Sequence, residues 1–365
     1  MRIKNFILST SILAGTIIGA GVFSLPYLFK SAGLSIGFFY LALAAAVYIA
    51  VYFMYADVVS KTKGDHRFVG YTRIHLGENW SWLAILMTIV EMILVLTIYL
   101  ILAQSFANLI TGFGEGIEKM IIFWLLGSTA IFLSLRKIAW LEFLITAGMI
   151  GIFIIVFILA LTGARFFESI PIAPNWFQVF LPFGAILFAL SGRVAIPSMM
   201  KLSPSTARKA IVWGTVIPAI VYGLFVVSVL AVSPLVSEDA VSGLTVFVPA
   251  EIMIAIGILG ILSLLSSYIT IGFDIYKSLA FDLRFPRWLQ FGLVFFAPLA
   301  LYFAGLSNFI AMVGIVGGIF LGLEGIFLII MWLRANKFSI LQKPWVAPLL
   351  LVFEIAIIYE IISLI

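Results

Sequence analysis

The sequence predicts an all-α polytopic membrane protein: a 5+5 inverted repeat with broken helices 1 and 6, plus an eleventh helix. Three observations predict it. The 365 residues are 64% hydrophobic and only 10% charged, with a mean hydropathy of +1.24, far from a soluble domain. The apolar residues form long runs divided by short charged stretches, which suits a helix bundle, whereas a barrel would alternate weakly over segments of about ten residues. A glycine–proline pattern in the first run returns in the sixth at a fixed offset.

Eleven spans follow, at 5–31, 34–59, 80–110, 119–135, 141–162, 178–200, 209–233, 250–277, 288–304, 306–333 and 344–364. They make one transmembrane domain over 1–365, with repeat one at 5–162, repeat two at 178–334 and a peripheral helix at 344–364. Basic loops stay cytoplasmic. Of 21 Lys and Arg residues, all but Lys30, Lys119, Arg165 and the intramembrane Arg193 then fall on the side of the N-terminus. The expected protein is therefore multi-pass in the plasma or inner membrane, N-terminus cytoplasmic and C-terminus extracytoplasmic.

The net charge of +5 is this topology signal spread over loops. It forms no basic groove interleaved with aromatics, so nucleic acid is not an expected partner. Cysteine is absent, which excludes disulfides and thiolate metal sites, and both histidines, His66 and His75, share one loop. The N-terminus also reads as a secretory signal peptide, with Arg2 and Lys4 before an apolar run and small residues at Gly19 to Gly21. A cleaved leader, however, would have no reason to share a pattern with mid-chain.

That pattern is GVFSLP, Gly21 to Pro26, against GRVAIP, Gly192 to Pro197. Both pairs are offset by the same amount, 192 − 21 = 197 − 26 = 171. The offset also carries the 61–79 loop onto 232–250, the 136–140 turn onto 304–308 and span 3 onto span 8. Five spans is an odd number, so the second unit enters the membrane from the opposite side. Inverted repeats of this kind belong to secondary transporters.

Glycine costs about 1 kcal/mol and proline about 3 relative to alanine inside a helix, so GTIIGAGVFSLPY in span 1 specifies an interruption. Backbone interrupted at membrane depth must be buried in protein or line a cavity. There, freed N–H groups would hold an anion and freed carbonyls a cation. Gly15-x-x-x-Gly19 alone would also suit a helix-packing face. The matched break in span 6 favours the ligand reading. Gly19-x-Gly21-x-x-Ser24 imitates part of a dinucleotide fingerprint, but no strand precedes it.

The stretch GTIIGAGVFSLPYLFKSAGL resembles the first span of the amino acid/auxin permease family and the related bacterial aromatic and hydroxy amino acid permeases. RFVGYTRIHLG, ILFALSGRVAIP and SSYITIGFDIYKSLAFDL agree with it, so the similarity covers most of spans 1 to 10. The resemblance implies a LeuT-type fold and amino acid uptake coupled to Na⁺ or H⁺, with no other cofactor. It places the backbone of Ile18, Gly19, Ala20 and Gly21 against the substrate's amino and carboxylate groups. Phe188, Ala189, Ser191 and Val194 would line the rest of the pocket. In Na⁺-coupled members the ion would lie between the Gly15 and Ile18 carbonyls and Ser263, Ser266 and Ser267.

Those serines stand at i, i+3 and i+4, on one face of span 8. They would equally serve as packing residues or bond their own backbone. Arg193 departs from the family pattern, which has a small or apolar residue there. A buried arginine needs a partner. At 1.5 Å per residue Arg193 lies about 22 Å below the outer start of span 6 and Glu91 about 17 Å above the inner start of span 3, with Glu324 deeper. Glu91 is the expected partner. Three roles stay open for Arg193: a structural pair, a clamp on a substrate carboxylate, or a fixed cation that replaces Na⁺ and leaves Glu91 to carry a proton.

Elsewhere, residues 61–80 read as an interfacial helix, 233–249 as an extracellular lid, and Glu354 and Glu360 as a partner interface or ordinary helix ends. The chain is thus expected to be a secondary amino acid transporter working by alternating access, as a monomer or homodimer. A non-transporting sensor or assembly factor is the alternative, and it would be expected to carry a long soluble tail. An enzyme would need clustered acids, and Asp57, Glu142, Asp274 and Asp282 form no recognisable motif.

Overall fold

Most apolar runs form long continuous helices, even where a single proline such as Pro218 or Pro298 falls inside them, because lipid makes intrahelical hydrogen bonds obligatory. In the computed structural model, which describes residues 2–64, 66–112, 116–131, 138–163, 171–202, 204–281 and 283–365, these are α3 (Leu34–Lys61), α5 (Glu78–Thr111), α6 (Gly116–Ala130), α7 (Ile138–Gly163), α10 (Ala207–Val232), α11 (Ala250–Phe281), α12 (Arg287–Phe303) and α15 (Val346–Ser363). Span 1 is split into α1 (Arg2–Ile17), a 3-10 turn (Ala20–Ser24) and α2 (Leu25–Ala32). Span 6 is split into α8 (Leu181–Ala189) and α9 (Ala195–Leu202). Span 10 runs as α13 (Phe309–Gly314), a π segment (Ile315–Phe320) and α14 (Leu321–Ala335). A short helix, α4 (Phe68–Leu76), forms within the stretch expected to lie at the interface.

By length and apolarity, six described helices are fit to cross a bilayer, and the pair Ile3–Ile17 and Ala20–Ala32, bent by 49°, makes a seventh. Helix starts repeat at the offset found in the sequence. Adding 171 to the first residues of α3, α5, α6 and α7 gives 205, 249, 287 and 309, against observed starts at 207, 250, 287 and 309. Arg136, Lys137, Arg165 and Asp282, and the side chain of Glu142, lie outside the described residues.

Two glycines turn the chain between helices. Gly33 has φ +94° between α2 and α3, and a Cβ there would also strike the Ala173 carbonyl; Gly77 has φ +98° between α4 and α5. L-residues with side chains rarely adopt such angles. The core is aromatic and aliphatic, with α5 packed along α11, and α10 wedged among α1, α3 and α7. The loop after α10 is held by Asp239, which accepts from the Ser237 hydroxyl at 2.5 Å, the Ser242 N–H at 3.0 Å and the Ser242 hydroxyl at 2.6 Å. Lys30 Nζ donates to the Pro234 carbonyl and ties this loop to the end of α2.

Helix α8 crosses the π segment with backbone against backbone. Here a Cβ on Gly317 would sit inside the Gly184 carbonyl. Backbone cannot yield as a side chain tip can, so Gly317→Ala is expected to cost at least ~1–3 kcal/mol. It should lower the unfolding temperature in detergent or abolish the folded protein on size-exclusion chromatography. Gly292→Ala, where the added methyl meets open space, is the control and should leave both unchanged.

Candidate functional site

The two breaks pack against each other. Gly19 is extended (φ −148°, ψ −160°), and a Cβ on Gly21 would fall 2.7 Å from Ala189 Cα. Reciprocally, a Cβ on Gly192 would fall 2.7 Å from Ile17 Cγ1. Small residues at the breaks are therefore required twice: to release the helix and to let the two unwound segments meet.

Breaking two helices frees backbone groups that burial makes costly to leave unpaired. Three buried tyrosines meet many of them. Tyr222 on α10 donates to the Ile17 carbonyl at 2.6 Å, has the Ala189 carbonyl 3.2 Å from the same oxygen, and accepts from the Gly19 N–H at 3.4 Å. Tyr52 on α3 donates to the Leu190 carbonyl at 3.1 Å and accepts from the Gly192 N–H at 2.6 Å. Tyr48, one turn away, donates to the Leu187 carbonyl at 2.8 Å. The sequence reading missed all three. Their signal was a phenol in the middle of an apolar run, where a hydroxyl needs a partner.

The backbone left over is what a ligand can use. Among the described residues, the N–H groups of Ala20 and Gly21 have no acceptor, and the Gly15 and Ile18 carbonyls have lost their intrahelical donors. Beside them, Phe23 meets Phe106 at 5.0 Å and Phe225 at 5.9 Å edge to face, and Phe225 meets Phe153 at 4.9 Å. Ile18, Phe188 and Ser191 are half-buried, and Ala20, Gly21 and Ala189 are buried. Val194 is 56% exposed, the outlier among the residues expected to line the pocket.

The expected ion ligands stand on elements without an extensive shared surface: α1 packs mainly on α10 and α9, and α11 on α5 and α7. Ser263 and Ser266 are buried. Ser267 stands near the Tyr99 hydroxyl of α5. The Ser266 hydroxyl is buried without a hydrogen-bond partner, the one feature here that asks for a ligand. No group of three or more His, Asp or Glu suited to a metal occurs among the described residues.

The expected partner of Arg193 is corrected. Its Nε lies 2.5 Å from Glu324 Oε1, and its guanidinium carbon stands 4.2 Å over the Phe68 ring of α4. Glu91 interacts electrostatically with both charges but does not form the pair. The depth count failed because 1.5 Å per residue holds only along a continuous α-helix, and Leu190–Val194 is unwound while Ile315–Phe320 is a π segment. One cation thus faces two carboxyl groups inside the bundle.

On the outer side of this cluster, α4 is strapped down by Arg67–Asp274 at 3.3 Å and by His75, whose Nε2 is 2.8 Å from the Thr62 hydroxyl. Burial holds the His75 imidazole below its ordinary value of 6.5. Docked α4 therefore favours neutral His75. Its docking is complete above pH 6.5 and weakens as the pH falls below it, because the undocked helix takes up the proton more readily. Amide hydrogen exchange in α4 should quicken on acidification, and His75→Gln should remove that pH dependence. Tyr222→Phe tests the stitching of the breaks: it should cost ~1–3 kcal/mol of thermal stability for the backbone groups left unpaired.

The comparisons with known proteins agree with this geometry. The profile of the tryptophan/tyrosine permease family matches residues 2–362, so that family, rather than the amino acid/auxin permeases, is the one matched. No curated protein sequence matches the chain. Among solved structures, MhsT in complex with L-phenylalanine superposes with a TM-score of 0.64 at 17% identity, covering 98% of each chain. Inward-facing Mhp1 gives 0.66 at 15%, covering 90% of this chain and 75% of that one. The Eremococcus coleocola manganese transporter, bound to an aromatic bis-isothiourea substituted compound, gives 0.65 at 15%, covering 97% and 86%. At these identities the likeness speaks for the fold, which is LeuT-type. Taken with paired broken helices in an integral multi-pass chain, the match over nearly the whole length decides the matter: the chain belongs to the tryptophan/tyrosine permease family, a secondary transporter of amino acids and not an enzyme.

Proposed function

We propose that the protein carries an aromatic amino acid across the membrane, bound at the paired breaks and driven by a cation gradient. The observation that carries this reading is the backbone left free between the two breaks. The Ala20 and Gly21 N–H groups begin a 3-10 turn that continues into α2, so their dipoles suit a carboxylate. The substrate's ammonium group would take the opposing carbonyls, and its ring would lie among Phe188, Phe23 and Phe225. Support for an aromatic side chain comes from the family's name and from the phenylalanine bound to MhsT. Arg193 is engaged by Glu324 and Phe68, which argues against its clamping the substrate.

Each coupling ion has one observation in its favour. For H⁺ it is the pairing of one arginine with two carboxyl groups: Glu91 would take and release the proton beside the Arg193–Glu324 pair. For Na⁺ it is the orphaned Ser266 hydroxyl; Ser263, Ser267 and the Gly15 and Ile18 carbonyls would have to draw in around the ion to complete the oxygen shell that a hard cation takes. In either case the repeats at 5–162 and 178–334 would be inverted, the N-terminus cytoplasmic, and the broken spans would rock against the remaining helices.

Uptake of radiolabelled tryptophan, tyrosine and phenylalanine into proteoliposomes tests this, under an inward Na⁺ or H⁺ gradient. Aromatic amino acids are expected to accumulate and to compete with one another, and small aliphatic ones to compete poorly. Equal competition by aliphatic amino acids would overturn the aromatic assignment. If H⁺ is coupled, Glu91→Gln should keep substrate counterflow and lose accumulation. If Na⁺ is coupled, Ser266→Ala should instead raise the Na⁺ concentration needed.

A further inference from the structure

Glu360 on the peripheral helix α15 is an anomaly that transport at the breaks does not use. It is 7% exposed, whereas Glu354 on the same helix is exposed. Among the described residues its carboxyl meets no hydrogen-bond donor and no cation; beyond the backbone bonds of its own helix, the residue takes one hydrogen bond, from the Ser363 hydroxyl to its backbone carbonyl. Buried polar groups without partners are rare, and a bare carboxylate among membrane helices is rarer still.

The surroundings are specific. The carboxyl points into the crossing of α8 with span 10, where Gly184, Gly314 and Gly318 place no side chain against it. A Cβ on Gly184 would fall 3.3 Å from Glu360 Oε2 and 2.9 Å from the Gly314 carbonyl, and one on Gly318 would fall 3.0 Å from Glu360 Cβ. A Cβ on Gly314 would sit against Glu360 Oε1. Two of these glycines, Gly314 and Gly318, lie in or beside the π segment, where the regular i to i−4 bonding gives way to i to i−5. The crossing also joins α8, the first half of broken span 6, to span 10. Any change in how α8 leans on span 10 therefore opens or closes the space around Glu360.

We propose that Glu360 is a proton-binding site: it holds a proton while the α8–span 10 crossing is closed and loses it when the crossing opens to water. Bound, the proton sits on a carboxyl oxygen. Released, it passes to the aqueous phase and leaves a carboxylate that the closed crossing cannot accommodate. Acid therefore favours the closed crossing and alkali the open one. Few other groups intervene. Neither α8, α13 nor the π segment carries a titratable side chain. On α14, Glu324 is held by Arg193 and Arg334 lies at the far end. On α15 itself, Tyr359 is the adjacent neighbour and interacts electrostatically with Glu360, its ring turned toward Phe180 at the start of α8 at 5.5 Å.

Infrared difference spectroscopy of the purified full chain tests this directly and needs no transport. The wild type minus Glu360→Gln spectrum near neutral pH should contain the C=O stretch of a protonated carboxyl, lost in the variant. Ionised carboxylate stretches in its place would overturn the proposal. Should Glu360→Gln fail to fold, Glu360→Asp serves: the same band should shift rather than stay fixed, and an unmoved band is equally fatal. As a second readout, substrate counterflow at equal pH on both faces should vary less with pH in Glu360→Gln than in the wild type. Identical profiles would show that the group does not govern the crossing. Absence of any counterflow in the wild type would instead strike at the transporter reading, leaving the infrared result to judge Glu360.

Discussion

Inside a bilayer, a backbone group released from a helix has no water to turn to, and every other feature of this protein's centre follows from that. Two spans are broken by glycine and proline, and the carbonyl and N–H groups released are the raw material of a polar ligand site. Left alone they would also be a heavy structural burden. The protein meets part of that burden internally, with phenol hydroxyls from Tyr48, Tyr52 and Tyr222 reaching across from neighbouring helices. In span 1, what is unmatched afterwards lies at Gly15, Ile18, Ala20 and Gly21. In the proposed site, specificity would come from this subtraction as much as from the breaks themselves.

The same breaks decide where charge can reside. From the unwound part of span 6, Arg193 reaches a carboxylate on span 10. Phe68 covers the open face of the guanidinium and brings the short helix α4 into the arrangement. A buried pair of this kind adds little net stability over an apolar pair, but it strongly penalises any state that separates its members. It therefore discriminates between conformations, as the proposed rocking of the broken spans would require. The glycine crossing at Gly184 and Gly317 is the steric counterpart, a surface with no side chain to cushion a shift.

Much of the site was legible in the residues. The breaks in spans 1 and 6 were readable because glycine and proline act locally, on the backbone that carries them. The helix boundaries were readable because apolar runs in lipid have no alternative structure, and α5, α11 and α12 begin within two residues of their expected starts. The partner of Arg193 was not. Choosing Glu91 over Glu324 depended on counting rise along helices that turn out to be unwound or π-wound between the reference point and the charge. Val194 failed for a related reason: beyond a break, helical phase is lost, and which way a side chain faces no longer follows from its position.

The sequence by itself determined the membrane class, the spans, the two matched interruptions and the presence of charges that must find partners, because each depends on composition or on local backbone chemistry. Only the tertiary structure decided which freed backbone groups are consumed by tyrosines, which acid holds Arg193, and that Glu360 on an outlying helix ends against three glycines. Those outcomes depend on how helices far apart in the chain lean on one another, and a few degrees at a break moves a charge from one partner to the next.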